Sequence, residues 1–202
     1  MKVGVLGGTF DPIHLGHLAA ARAAMDCAGL DTVLFVPTGT PPHRGAAVAG
    51  AKQRVEMCRL AIAGEERFDV SDIEVTRSGA SYTVDTLKAL SKARPGDDLF
   101  LILGWDAARL FKTWHEPREV QRLATVVVVT RPGSGDVTQD ALQSAGLPAA
   151  SIICERVTPD ISGSALRRAI AGGESVADRL PAAVSDYVAA NHLYMDNHDV
   201  GC

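Results

Sequence analysis

Lys2-Val3-Gly4-Val5-Leu6-Gly7-Gly8-Thr9-Phe10-Asp11-Pro12-Ile13-His14-Leu15-Gly16-His17 joins a short β-rich run to the start of a helix through a glycine-containing loop. Lys2 to Leu6 carries the strand propensity, Gly7-Gly8 ends it, and Leu15 to Ala28 holds alanine and leucine at helical density until Gly29. Glycines let backbone approach a ligand closely, and a helix N-terminus adds free N–H groups and the positive end of its dipole, so the junction suits an anion. His14 and His17 share a helical face, and Gly16 between them leaves room for a bulky group such as a phosphate chain. Taken alone, the pair also fits a cap residue beside a satisfied core histidine.

Outward from this stretch, Thr32 to Val36 reads as a strand covered on both faces and stopped by Pro37, followed by a Pro- and Gly-rich loop from Thr38 to Gly50. A helix near Ala51 to Ala63, a strand near Phe68 to Val75, a helix near Thr83 to Ala93 and a strand from Leu99 to Leu103 come next. Short helical stretches lead to Thr125 to Thr130, read as a central strand and closed by Arg131-Pro132-Gly133. Asp140 to Ala145 is expected to be helical, Ser151 to Val157 extended, and Ser164 to Ala171 and Ala182 to Ala190 helical. Strands alternating with helices predict an α/β fold: one Rossmann-like domain over residues 1–202, its parallel sheet flanked by helices on both faces and its last few residues a tail. Ligands are then expected beyond the C-terminal ends of the strands.

The 202 residues carry 20 Lys plus Arg against 24 Asp plus Glu, a net charge of −4 that excludes a strongly basic nucleic-acid binder. A chain of this size buries roughly 70% of the surface its unfolded form exposes and needs no staple. Cys27, Cys58, Cys154 and Cys202 form no CxxC pair, so neither a zinc ribbon nor a redox motif is indicated, and reduced, mostly buried thiols are expected. The N-terminal run lacks a signal peptide's apolar region, and no segment approaches the roughly 20 apolar residues of a membrane span, so a cytoplasmic protein is expected.

Four further clusters carry candidate chemistry. Pro37-Thr38-Gly39-Thr40-Pro41-Pro42-His43-Arg44 is a stiff loop ending in a cation, either a surface turn or an anion-binding loop at a strand's C-terminal end. Ser81-Tyr82-Thr83-Val84-Asp85-Thr86-Leu87 opens a helix; Ser81 and Thr83 are plausible N-caps, and free N–H groups there can also hold a carboxylate. Gly104-Trp105-Asp106 puts an acid able to bond a ribose at a strand end, with Trp114-His115 shortly after; an indole there can stack on an electron-poor ring, while Trp105 serves a platform or the core. Ile161-Ser162-Gly163-Ser164-Ala165-Leu166-Arg167-Arg168 offers hydroxyls, free N–H groups and guanidinium on one turn, suited to a phosphate chain, with Arg168 read as a solvated charge.

Phe10, Asp11, Pro12, His14, Gly16 and His17 recur together by chance in only a few per million chains of this length at about 5% per residue. The segment resembles the signature loop of the HxGH nucleotidylyltransferase superfamily, and the other clusters resemble, in order, motifs of its bacterial nicotinate mononucleotide adenylyltransferase family: a PPHK loop, SYTxDTL, GxD with a W-H pair, and ISSTxIR. Arg44 stands for the family's lysine, and Gly163 and Ser164 for its Ser and Thr. The stretch from Tyr187 to Tyr194 matches the closing helix, for which packing suffices. The resemblance implies that Gly7, Gly8, Thr9, Phe10, His14, Gly16, His17, Arg44, Gly104, Asp106, Ser162 and Arg167 meet ATP and its phosphates. It further implies that Thr9, Phe10, Tyr82, Thr83, Asp106 and Trp114 meet nicotinate mononucleotide, and that His17 and His14 are catalytic. Mg²⁺ arrives with ATP and no protein metal site is expected.

Other readings remain. A pantetheine-phosphate or cytidylyl transferase would share the histidine loop without explaining SYTxDTL or Trp114, and a non-catalytic nucleotide sensor would bind ATP without chemistry. A dehydrogenase lacks its GxGxxG, and a zinc site from His14, His17 and Cys27 lacks a fourth ligand at a recognised spacing. The partners expected are ATP and nicotinate mononucleotide, with no nucleic acid or membrane, and a homo-oligomer is allowed. The net charge of −4 describes the whole surface, whereas the expected site gathers His14, His17, Arg44 and Arg167 with helix N-termini in one cleft.

Overall fold

A computed structural model describes residues 1–40, 47–130, 135, 137–155 and 158–195. Its elements are β1 (Lys2–Gly8), α1 (Leu15–Ala28), β2 (Thr32–Pro37), α2 (Ala51–Ala61), β3 (Phe68–Val70), α3 (Thr83–Ala93), β4 (Asp98–Gly104), α4 (Trp105–Ala108), α5 (Pro117–Leu123), β5 (Thr125–Val129), α6 (Gln139–Ser144), β6 (Ile152–Cys154), α7 (Gly163–Ala171) and α8 (Ala182–Ala190), with a 3-10 turn at Phe111–Thr113. The six strands are all parallel, in the order β3-β2-β1-β4-β5-β6. The winding direction reverses between β1 and β4, which opens a crevice at the C-terminal ends of these two strands.

The period-2 geometry of a strand splits the sheet into two apolar faces. Leu6, Val33, Phe35, Phe100, Ile102, Val127 and Val129 face one core, covered by Leu18 and Met25 of α1, Met57 of α2, Leu166 of α7 and Val184 of α8. Val3, Val5, Leu34, Val36, Leu101, Leu103, Val126 and Val128 face the other, covered by Leu87 and Leu90 of α3, Val120 of α5 and Leu142 of α6. Burial of both faces explains why β2 and β5 are unbroken apolar runs.

Three expectations change. β5 is interior, between β4 and β6, but the centre of the sheet belongs to β1 and β4. The strand expected over residues 68–75 shortens to Phe68–Val70 because β3 is an edge strand paired, among the described residues, only with β2, and the chain turns away with Thr76 N–H donating to Asp72 C=O at 2.9 Å. Cys27 and Cys154 are joined in a disulfide instead of being reduced. The pair lies 127 residues apart in sequence and meets because α1 packs beside β6. Cys58 is the free, buried thiol expected. Arg131-Pro132-Gly133, the end of the predicted strand at Val157, Cys202 and most of the predicted tail lie outside the described residues. No helix among those described is long and apolar enough to cross a membrane.

Candidate functional site

The loop between β1 and α1 emerges at the crevice. Phe10 takes a left-handed backbone, φ 49°, and its ring is 2% exposed, edge-on to His17 with centroids 4.9 Å apart and 5.9 Å from Phe35. That conformation costs a non-glycine residue on the order of 1–3 kcal/mol, which burial of an aromatic ring offsets. Phe10 therefore anchors the loop, and what it can present to a ligand is backbone. Gly7 is exposed, Gly8 and Thr9 are half-buried, and a Cβ on Gly8 would lie 3.0 Å from the Phe10 ring.

His14 and His17 stack at the head of α1, centroids 3.7 Å apart. The His14 backbone N–H donates to His17 Nδ1 at 3.2 Å, so the neutral His17 ring carries its proton on Nε2. Gly16 is required by close approach, because a Cβ there would stand 3.0 Å from His14 Nδ1 and 3.2 Å from the Pro159 carbonyl. Leu15 N–H, expected to be free for an anion, donates to the Arg179 carbonyl at 3.0 Å. Burial lowers the pKa of His14 to about 4, and burial together with its partner ring holds His17 well below 6.5. Both rings are neutral hydrogen-bonding groups at pH 7, and the positive charge near the loop comes from arginines.

One of these is Arg54, fully buried on α2, whose Nη1 donates to the Thr9 carbonyl at 2.7 Å and whose Nε donates to the Ala49 carbonyl at 3.2 Å. Burial lowers its pKa while Asp11 opposes the shift. Sequence reasoning missed it. The available signal is a cation on the stripe Arg54, Cys58, Ala61, whose other members are apolar and buried. Another is Arg167: its Nη1 donates to the Asp11 carbonyl at 2.6 Å and lies 3.6 Å from the Asp11 carboxylate. Ser162 caps α7, accepting from Ala165 N–H at 3.1 Å, with its Oγ 3.1 Å from Ser164 Oγ. A cleft of about 650 Å³ runs beside α7, lined by Val48, Ser164, Arg167, Arg168 and Tyr194 among others.

On the far side of β1, Thr38 N–H donates to the Gly8 carbonyl at 2.9 Å. Gly39 and Thr40 N–H both donate to Ser81 Oγ, at 3.2 and 3.3 Å. Ser81 is therefore tied to this loop and does not cap α3; the N-cap is Tyr82, whose side chain makes no capping bond. Beneath it lies Glu74, a buried carboxyl missed from sequence, which accepts from Thr86 Oγ1 at 2.7 Å and whose pKa is raised by burial. Arg44 lies outside the described residues.

Tyr82 packs on His115, ring centroids 4.4 Å apart, and Trp114 packs on the buried Phe111 at 5.3 Å. The Tyr82–Thr83 helix start and the Trp114–His115 pair are thereby joined. Gly104 and Asp106 lie exposed at the end of β4, Asp106 Oδ1 3.6 Å from Arg109, whereas Trp105 packs against the second core. No three His, Cys, Asp or Glu side chains among the described residues are grouped to hold a metal ion. Cys27 is bonded to Cys154 and stands at the opposite end of α1 from the histidines, so it cannot join them.

A doubly wound parallel sheet with paired histidines on its first crossover defines a nucleotide-handling class. The family model described as cytidylyltransferase-like matches residues 5–169. A Thermus thermophilus protein named "Probable nicotinate-nucleotide adenylyltransferase" is 44% identical over 194 residues, covering 96% of this chain and 100% of that protein. A Synechococcus protein of the same name is 40% identical over 198 residues, covering 96% and 95%. The chain belongs to the cytidylyltransferase-like family and, within it, to the nicotinate-nucleotide adenylyltransferases. The fold matches a solved structure of Plasmodium falciparum nicotinic acid mononucleotide adenylyltransferase complexed with NaAD, at a TM-score of 0.78 and 17% identity, covering 96% of this chain and 97% of that one.

Proposed function

We propose that this chain transfers the adenylyl group of ATP to nicotinate mononucleotide, giving nicotinate adenine dinucleotide and pyrophosphate, a step of NAD biosynthesis. The observation that carries the reading is the stacked His14–His17 pair at the crevice between β1 and β4. The joined Tyr82 and His115 rings hold the second set of expected contacts together.

A 5′-phosphate oxygen of the mononucleotide attacks the α-phosphorus of ATP, the bond from that phosphorus to the α,β-bridging oxygen breaks, and pyrophosphate leaves with the electron pair. The nucleophile is already anionic at neutral pH, so no strong base is needed. Catalysis is positioning plus stabilisation of charge that develops on the α-phosphate and the leaving group. His17 Nε2–H donates to the α-phosphate and His14 orients the triphosphate. Arg44, Arg167 and Ser162 hold the outer phosphates, while the backbone of Gly7, Gly8, Thr9 and Phe10 lines their path and Gly16 leaves room for the phosphate chain. Gly104 and Asp106 meet the nucleotide sugar. The uncapped start of α3 at Tyr82 and Thr83 takes the pyridine carboxylate, and Trp114 stacks on the ring. Mg²⁺ enters as part of the ATP substrate, held by phosphate and water.

Residues 1–202 form one domain in this reading, cytoplasmic, with neither nucleic acid nor membrane as partner and with self-association permitted. The Cys27–Cys154 disulfide is unusual for a reducing compartment. The test is pyrophosphate release from ATP compared side by side with nicotinate mononucleotide, nicotinamide mononucleotide and phosphopantetheine. The first is expected to be the best acceptor; release with phosphopantetheine alone, or with none of the three, overturns the reading.

A further inference from the structure

We propose that Tyr194 is a positioning residue: the C-terminal turn uses its hydroxyl to clasp the histidine loop and so sets the affinity of the site for nucleoside triphosphate. The inference rests on the reading above that ATP binds at the His14–His17 loop.

Packing alone does not account for this residue. Tyr194 follows α8 in a turn where His192 and Tyr194 both take left-handed backbones, φ 51° and 65°. Two such non-glycine residues in one turn are unfavourable and persist only where the surroundings fix them. Here the turn sends the Tyr194 side chain back into the first core, 8% exposed. Its hydroxyl donates to Asp11 Oδ1 at 2.7 Å across 183 residues of sequence. A phenylalanine would fill the same space without that bond.

Asp11 is where four segments meet. Its carboxylate accepts from Val48 N–H at 2.8 Å and Ala49 N–H at 3.0 Å, from the Tyr194 hydroxyl, and lies 3.6 Å from the Arg167 guanidinium. It stands three residues before His14 in the same loop, and Arg167 reaches its carbonyl at 2.6 Å. Val48 and Ala49 come four and five residues after Arg44 in the sequence. Burial and the facing carboxylate push the phenol's pKa up, so the hydroxyl remains a donor throughout the working pH range. A hydroxyl-to-carboxylate bond is about twice as strong as a neutral one. Without it the carboxylate keeps its bonds to Val48 and Ala49 but loses its tie to the C-terminal turn, so that Asp11, residues 48–49 and the Arg167 guanidinium can shift together relative to the histidines. The clasp touches the triphosphate side of the site and leaves Tyr82 and Trp114 alone.

The experiment compares the 202-residue chain with Tyr194→Phe, Tyr194→Leu and, as a control that removes a hydroxyl from α8, Tyr187→Phe. Dissociation constants for MgATP and for nicotinate mononucleotide are measured by calorimetry beside melting temperatures. Tyr194→Phe is expected to weaken MgATP about five- to tenfold, the scale of one typical hydrogen bond and so a part of what the charge-assisted bond is worth, with mononucleotide affinity within about twofold and Tyr187→Phe unchanged. The proposal is overturned if MgATP affinity does not change, if both affinities fall together, if only the melting temperature falls, or if neither Tyr194 variant folds. Wild-type protein that binds MgATP but transfers nothing refutes the adenylyl-transfer reading while the affinity ratio still judges Tyr194. Wild-type protein that does not bind MgATP refutes both.

Discussion

His14 donates its backbone N–H to Nδ1 of His17 at 3.2 Å, which leaves Nε2 of His17 as the protonated nitrogen of a neutral ring. With both histidines held below their ordinary pKa, hydrogen bonding and not imidazolium charge is what they offer at pH 7. Transfer is therefore expected to run at a constant kcat from pH 6.5 to pH 8. A rate that falls across this interval along an ordinary histidine titration, near pH 6.5, contradicts the neutral-donor assignment.

Replacing the donor removes an interaction that matters most in the transition state. His17→Ala is expected to lower kcat about 10²-fold or more with the fold intact, and His17→Asn, which can still donate from an amide, to recover part of the loss. Steady-state kinetics beside circular dichroism check this; near-normal turnover in folded His17→Ala removes the residue from the mechanism.

The same burial makes stability depend on pH. The folded pKa of His14, about 4, lies below the ordinary 6.5, so the unfolded chain binds protons more readily and stability rises with pH across that window. Acidification from pH 7 to pH 4 is expected to cost about 3 kcal/mol through His14, on the order of 1.4 kcal/mol per pKa unit. Urea melts of wild type and His14→Asn test it, the variant giving the flatter pH dependence. Parallel curves would show that His14 is not the group responsible.

Trp114 and the Tyr82–His115 contact belong to the acceptor side. Trp114→Ala is expected to raise KM for nicotinate mononucleotide about tenfold, the worth of one stacked ring, and to leave KM for ATP unchanged. Equal rises in both would mean that Trp114 supports the whole site instead of the pyridine.

The Cys27–Cys154 disulfide closes 127 residues of chain. A loop of that size restricts the unfolded state by up to about 5 kcal/mol. Reduction is expected to lower urea-melt stability, while activity at 25 °C persists because Cys27 lies about 15 Å along α1 from His17. Alkylation in denaturant without reductant is expected to spare both cysteines; labelling of either contradicts the bond.

What could be read from the sequence follows what is local. The strand and helix around His14, the ending of β2 at Pro37 and the start of α3 at Thr83 each rest on propensity, spacing or a terminator within a few residues, and the structure has them there. A cap is a local feature, which is why the sequence around Ser81 suggests one, yet Ser81 bonds the backbone of Gly39 and Thr40, about forty residues away. Arg54, Tyr194 and the Cys27–Cys154 pair gain their meaning from partners brought close only by the sheet order. The neutrality of the histidines likewise depends on burial, which residue spacing does not encode.

The most direct test of adenylyl transfer follows the α-phosphorus itself. With ATP radiolabelled at that position and nicotinate mononucleotide as acceptor, label is expected to appear in nicotinate adenine dinucleotide in a one-to-one ratio with pyrophosphate released. Label that ends in free AMP, or stays in ATP while both substrates are bound, would contradict it.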